Sequence, residues 1–466
     1  MKDTLVAGID SSTQSVKVML VRARDGNVVA EASGAHPGGT EVDPEAWWTA
    51  LNTAGAGLLE RADAVAVGGQ QHGMVALDSG GAVVRPALLW NDLRSAPQSS
   101  TVVEHLGGPQ SCADRIGSVP TASFTVTKLR WMAEHEPEHA ARTAAVALPH
   151  DWLTWKLAGG NGFGADAAEL TTDHGDASGT GYYSPAQRAW LPEVAAWALD
   201  REQPPTLPRL VGPGEVAGHT ASGAVLGAGT GDNMAAALGL AITGSDVVVS
   251  IGTSGTAFCV ATAPTADPTG SVSGFADATG RYLPLVCTVN ASRILSTVGR
   301  LLAVDHAEFA RLALAGDPGA GGLVLLPYLD GERTPNRPDA SGVLRGLTSG
   351  TSRENLARAA VEALLCSLAD GVDALGVREP RIMLIGGGAR NPAVQQLAPA
   401  VFGRSVEVLD PGEYVAYGAA RQAAWALSGD SGPPDWPAAG SVTLTGERTP
   451  VVRQQYAALR EATIQW

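Results

Sequence analysis

Apolar residues follow two rhythms along this chain: short, near-continuous runs of aliphatic and β-branched residues, and longer stretches with helical spacing. Their alternation predicts an α/β fold. Thr4 to Ile9 and Val16 to Val21 are two strand-like runs. The polar loop Asp10-Ser11-Ser12-Thr13-Gln14-Ser15 joins them, and its small side chains leave backbone N–H groups accessible, so the segment reads as a hairpin with a functional tip. Asp246 to Ile251 and Ala257 to Ala261 repeat the plan around Gly252-Thr253-Ser254-Gly255-Thr256, and aligning Ile251 with Ile9 sets the two patterns 242 residues apart. Two unrelated hairpins would look the same. The rest of the chain decides between coincidence and duplication.

Strand-like segments continue at Val65 to Gly68, Ala87 to Trp90 and Val146 to Pro149, interleaved with helical spacing at Lys128 to His135 and at Asp151 to Leu157, where Asp151 is a fitting N-cap. After the second hairpin, Leu323 to Pro327 reads as a strand and Glu354 to Leu375 as a long helix. Arg381 to Ile385 is a buried strand feeding Gly386-Gly387-Gly388. Both halves are therefore α/β, and Gly239 to Gly244 suggests a boundary that divides the chain into 1–241 and 242–466.

Composition narrows the chemistry. With 466 residues, 45% of them hydrophobic and 17% charged, the chain is neither disordered nor a coiled coil. Lys+Arg 32 against Asp+Glu 47 leaves a net charge of −15, the wrong sign for gripping nucleic acid or an anionic membrane. Cys112, Cys259, Cys287 and Cys366 are too scattered for a zinc site or a disulfide framework. The first apolar run, ended by Asp10, is too short for a secretion signal. A cytoplasmic protein is expected.

The lysines are Lys2, Lys17, Lys128 and Lys156, and none follows a glycine as a P-loop requires. Phosphate, if bound, must then be held by backbone amides, and the tips at Ser12-Thr13 and Gly252-Thr253-Ser254 can do so. Gly387-Gly388 with Asn391 is a third such place, although a purely structural turn would look the same. Asp232, in Gly229-Thr230-Gly231-Asp232-Asn233, heads an Ala-rich helix, where it stays ionised and serves either as a cap or as a base. Phosphoryl transfer to an alcohol needs positioning, Mg²⁺ and a carboxylate, which Asp10 and Asp232 would supply. Gly69-Gln70-Gln71-His72-Gly73 follows a buried strand and offers amide and imidazole groups suited to sugar hydroxyls, as does Trp90-Asn91-Asp92.

Longer motifs extend the reading: Ser123-Phe124-Thr125-Val126-Thr127-Lys128-Leu129-Arg130-Trp131-Met132, and Gly342-Val343-Leu344-Arg345-Gly346-Leu347 followed by Asn355-Leu356 and Ala359-Ala360-Val361-Glu362. In these the chain resembles the FGGY carbohydrate kinases of the actin/hexokinase-like ATPase superfamily, over nearly its whole length. The resemblance implies two duplicated ribonuclease-H-like domains with a cleft between them, and ATP-dependent phosphorylation of a small sugar. It implies Asp10 as the Mg²⁺ ligand, with Ser12 and Thr13 at the phosphates, and Asp232 as the catalytic base. Gly252, Thr253, Ser254, Gly387, Gly388 and Asn391 would embrace ATP, while Gln71, His72, Asp232 and Asn233 would hold the sugar. Family members acting on glycerol carry an Arg-Glu pair where this chain has Gln71-His72. A ketopentose, D-xylulose, is therefore the expected acceptor, with L-ribulose, gluconate or glycerol as alternatives, and Gln71 stands where the nearest members usually have Met. A homodimer is left open, and so is a non-catalytic ATP-binding module on the same fold.

Overall fold

In the computed structural model, which describes residues 3–162 and 169–464, Leu5–Ser11 (β1), Ser15–Arg22 (β2) and Val28–Ala35 (β3) form an antiparallel meander. Ala64–Gly69 (β4) runs parallel to β1 on its other edge. Val216–His219 (β5) and Val225–Gly227 (β6) extend the sheet to the order β5-β6-β4-β1-β2-β3, and the short strand Thr230–Gly231 (β7) pairs with the end of β4. Both faces are covered. Ala7, Ile9, Val65 and Val67 lie in one buried cluster, and Val6, Ala64 and Ala66 in another, which is why these strands read as continuous apolar runs.

Helix Pro44–Gly55 packs on β2 and β3, and the helices that bear on the site are Thr125–His135 (α1), Pro149–Leu157 (α2), the single turn His174–Ala177 (α3) and Asp232–Gly239 (α4). α2 starts two residues earlier than the expected Asp151 cap, because the fixed φ of Pro149 suits the first helical position. Asp151 instead sits in the first turn, where its Oδ2 accepts the Leu148 N–H at 2.7 Å.

The second sheet repeats the first. Asp246–Ile251 (β8), Gly255–Cys259 (β9) and Tyr282–Thr288 (β10) are an antiparallel meander, and Arg381–Ile385 (β11) is parallel to β8. Val406–Leu409 (β12) is parallel to β11, and Ser441–Leu444 (β13) is antiparallel to β12. Apart from Ser273–Ala276, which adds an edge strand beside β10, the order β10-β9-β8-β11-β12-β13 matches β3-β2-β1-β4-β6-β5, with the same sense at every pairing, and the hairpin repeat is a duplication. The expected helix at Glu354 to Leu375 is Arg353–Ala374 (α5), begun by Ser352 and Asn355, whose side chains each accept the other's backbone N–H. Pro392–Phe402 (α6) follows β11.

Two compact units result: Met1–Ile242 with Val260–Pro284 and Glu413–Ala438, and Thr243–Cys259 with Leu285–Gly412 and Ala439–Trp466. The first unit therefore includes Tyr414–Ser428 (α7), from the far end of the chain. Its alanines Ala416, Ala419, Ala420 and Ala423 pack on Val6, Val21, Ala64 and Ala66. These small residues allow backbone to touch backbone: a Cβ on Gly8 would overlap the Ala416 carbonyl oxygen, and one on Gly418 the Ala235 carbonyl oxygen. Among the described residues no helix is long and apolar enough to cross a membrane.

In an open helix, Gly→Ala stabilises by up to about 1 kcal/mol. Here the sign should invert, with Gly418→Ala losing about 3 kcal/mol or more in denaturant unfolding because the new methyl meets backbone rather than a movable side chain. Gly38→Ala, where nothing lies within 4 Å, is the control; equal behaviour of the two variants would refute the close approach.

Candidate active site

The parallel register brings three chain ends abreast. Gly68 of β4 pairs with Asp10 on one side and Thr230 on the other, and Gly69 with Ser11 and Gly231. Strands about 4.8 Å apart therefore deliver Asp10 and Asp232 to opposite flanks of the Gln70-Gln71-His72 turn. In open α/β sheets this edge, beyond the carboxyl ends of the strands, is where ligands bind. Asp10 belongs to β1, which runs through Ser11, rather than to the expected loop.

Neither carboxylate behaves as an exposed one. Burial pushes Asp10 up to about 7, against the pull of Lys17, whose ammonium is 3.8 Å from Asp10 Oδ2. Burial also pushes Asp232 up to about 7, and the charge of Asp10 adds to it. The expectation that a helix N-terminus keeps Asp232 ionised is thus corrected: desolvation outweighs the helix end. Gly231 takes the N-cap place, and the Asp232 carboxylate accepts the Asn233 backbone N–H at 2.7 Å and its Nδ2 at 2.8 Å.

Asn233 Nδ2 also reaches Gln71 Oε1 at 3.3 Å, so the two amides and the Asp232 carboxylate form one polar face. His72 is buried with φ of 68°, a left-handed conformation uncommon for a residue with a Cβ. Its Nδ1–H donates to Gly179 O at 2.7 Å. Phe124 and Phe275 flank its ring at 4.9 and 5.9 Å. At the β1–β2 turn, Ser12 N–H and Oγ both donate to Ser15 O, and Thr13 Oγ1 donates to Gln70 Oε1 at 3.3 Å.

In the second unit the turns after β8 and β11 lie side by side, since Ser250 pairs with Ile385. Gly252 and Thr253 receive backbone hydrogen bonds on their carbonyls from Ser292 and Ala291, while Ser254 remains partly accessible. A side chain on Gly387 would enter open space, whereas one on Gly388 would overlap Ile251. Asn391 caps α6 by accepting the Ala393 and Val394 N–H groups.

Two contributors, Lys17 and Glu413, were not assigned roles from sequence. Lys17 faces Asp10 by strand register and is also ion-paired to Glu413, which precedes α7. Strict alternation along β2 could have revealed Lys17, but nothing local could have revealed Glu413. Trp90 Nε1 donates to Thr13 Oγ1 at 2.9 Å, tying two candidate segments together. Asp92, two residues on, is occupied by Thr40 and Arg94.

Comparison with known proteins identifies the family. Residues 5–250 match the FGGY family of carbohydrate kinases, N-terminal domain, and residues 247–427 the C-terminal domain. A xylulose kinase of Streptomyces coelicolor is 48% identical over 447 residues, covering 91% of this chain and 89% of the relative. A xylulose kinase of Streptomyces rubiginosus is 46% identical with the same coverage. The crystal structure of xylulose kinase from Bifidobacterium adolescentis superposes with a TM-score of 0.91 at 45% identity, over 99% of this chain and 100% of that one. Matched in both halves and along almost its whole length, the chain belongs to the FGGY family of carbohydrate kinases.

Proposed function

We propose that this kinase transfers the γ-phosphoryl group of ATP to the terminal hydroxyl of D-xylulose, giving D-xylulose 5-phosphate and ADP. The observation that carries the reading is the 48% and 46% identity, over 91% of the chain, to relatives named xylulose kinase. The Gln71–His72 pair beside Asp232 and Asn233 supports it, because amide and imidazole groups suit hydrogen bonding to hydroxyls. Asp232 would accept the hydroxyl proton as the oxygen attacks phosphorus, while Gln71, His72 and Asn233 orient the sugar.

Mg²⁺ suits Asp10, whose Oδ1 is buried and accepts no hydrogen bond, a hard oxygen donor left over. When bound there, the ion would neutralise charge on the phosphate oxygens. Ser12 and Thr13 would approach the phosphates. Gly252, Thr253, Ser254, Gly387, Gly388 and Asn391 would hold ATP, with the open space at Gly387 leaving room for a ligand against the backbone.

An ADP-release assay over D-xylulose, L-ribulose, gluconate and glycerol tests the substrate, and D-xylulose should give the highest kcat/KM. A larger value for any other sugar would replace it. Asp232→Asn should lower kcat by about 10²–10⁴-fold with ATP binding retained. A base pushed up to about 7 is active only when deprotonated. The wild-type kcat/KM should therefore rise with pH and level off above about 7, falling up to tenfold per unit below it; a profile flat from pH 6 to 8 would exclude this base. Gly387→Val should weaken ATP binding with little loss of stability, whereas Gly388→Val should unfold at lower denaturant, since only the latter strikes Ile251. Calorimetric titration with ATP and an unfolding curve distinguish the two outcomes.

A further inference from the structure

Behind the two sugar-facing turns lies a buried charged cluster that the proposed reaction does not use. His150, the second residue of α2, is fully buried; its Nδ1 is 2.6 Å from Asp176 Oδ2 and 3.3 Å from Asp151 Oδ1. Burial pulls the imidazole pKa down, but the carboxylates of Asp151, Asp176 and Asp173 outweigh it and push it up to about 10. The 2.6 Å contact is a charge-assisted hydrogen bond.

His150 packs on both segments that carry the site, its backbone and Cβ toward Gly69 and its ring toward Gly229. A Cβ on Gly69 would come within 2.8 Å of His150 Cβ, and one on Gly229 would overlap the ring at Cδ2 and reach 2.9 Å from Nε2. Gly69 leads into Gln71 and His72, and Gly229 stands three residues before Asp232. The same turn is tied from two further directions. Asp173 Oδ2 accepts Thr230 Oγ1 at 2.6 Å while its carboxylate also caps the turn bearing Asp176, and Gln422 of α7 donates to Gly229 O at 3.1 Å.

We propose that His150, clamped by Asp176, is a positioning residue: a rigid wedge that sets the separation between the Gln71–His72 turn and Asp232. The proposal rests on reading Asp232 as the base. An apolar replacement of a buried ion pair is often neutral for stability, so the pair's value here lies in geometry. A flat ring held at one edge by a carboxylate cannot adapt as a flexible chain can, and a displacement of about 1 Å at a reacting group can lower the rate about 10²-fold.

The test is a cycle of His150→Gln, Asp232→Asn and the double variant, with kcat and KM for D-xylulose, ATP affinity by calorimetry and unfolding curves. His150→Gln should lower kcat by about 10- to 100-fold while ATP affinity stays within about twofold. In the Asp232→Asn background the same change should cost less than about threefold, because placing an absent base no longer matters. Should His150→Gln fail to fold, Asp176→Asn keeps the shape, removes the clamping charge and should show the same split. Losses that multiply in the double variant, or a kcat within twofold of wild type for the single one, would overturn the wedge alone. Near-wild-type turnover in Asp232→Asn would overturn the base reading, and the wedge with it.

Discussion

The glycine pair Gly68-Gly69 at the end of β4 is the constraint on which the site depends. Each is flanked on both sides by another strand, and each has a helix pressed against the position where a side chain would be. A Cβ on Gly68 would come within 2.8 Å of Val415 in α7, and one on Gly69 within 2.8 Å of His150 in α2. A larger residue would have to displace the Val415 side chain at the first position and the start of α2 at the second, beside strands about 4.8 Å apart. With glycine there, Asp10, Gln71 and Asp232 arrive at one edge from segments that are distant in sequence.

The duplication shows how one topology yields two kinds of site. Aligning Ile251 with Ile9 sets Gly252 where the first copy has Asp10. The first copy thus carries a carboxylate at the penultimate position of its leading strand, where the second has already passed into a backbone turn with no side chain at that place. That difference divides the proposed chemistry: charge and proton acceptance in the first unit, backbone approach to a nucleotide in the second.

Much of this was legible in the chain because it is local. β8 and β11 begin and end where the apolar runs do, and the hairpin repeat announced the duplicated sheets. Asp232, Gln71 and His72 stood out through the glycines around them, which mark places where backbone must turn or approach closely. What escaped was non-local. The membership of α7 in the first unit depends on Gly8 meeting Ala416, some four hundred residues away, and no periodicity within either segment encodes it. Likewise the raised pKa of Asp232 cannot be read from its helix position alone, since desolvation depends on what the rest of the unit packs around it.

The same non-local packing sets the charge balance of the first unit's site. Asp10, Asp232 and Glu413 bring three carboxylates, and Lys17 is the ammonium that pulls Asp10 down while also pairing with Glu413. Held between two acids, Lys17 has little positive field left for a third charge. A triphosphate brought to such an edge would meet net negative charge in a poorly solvated place, where repulsion is screened less than at an open surface. The proposed reaction therefore needs added positive charge at Asp10, and a divalent cation on its unpartnered Oδ1 meets that need from the chain's own electrostatics.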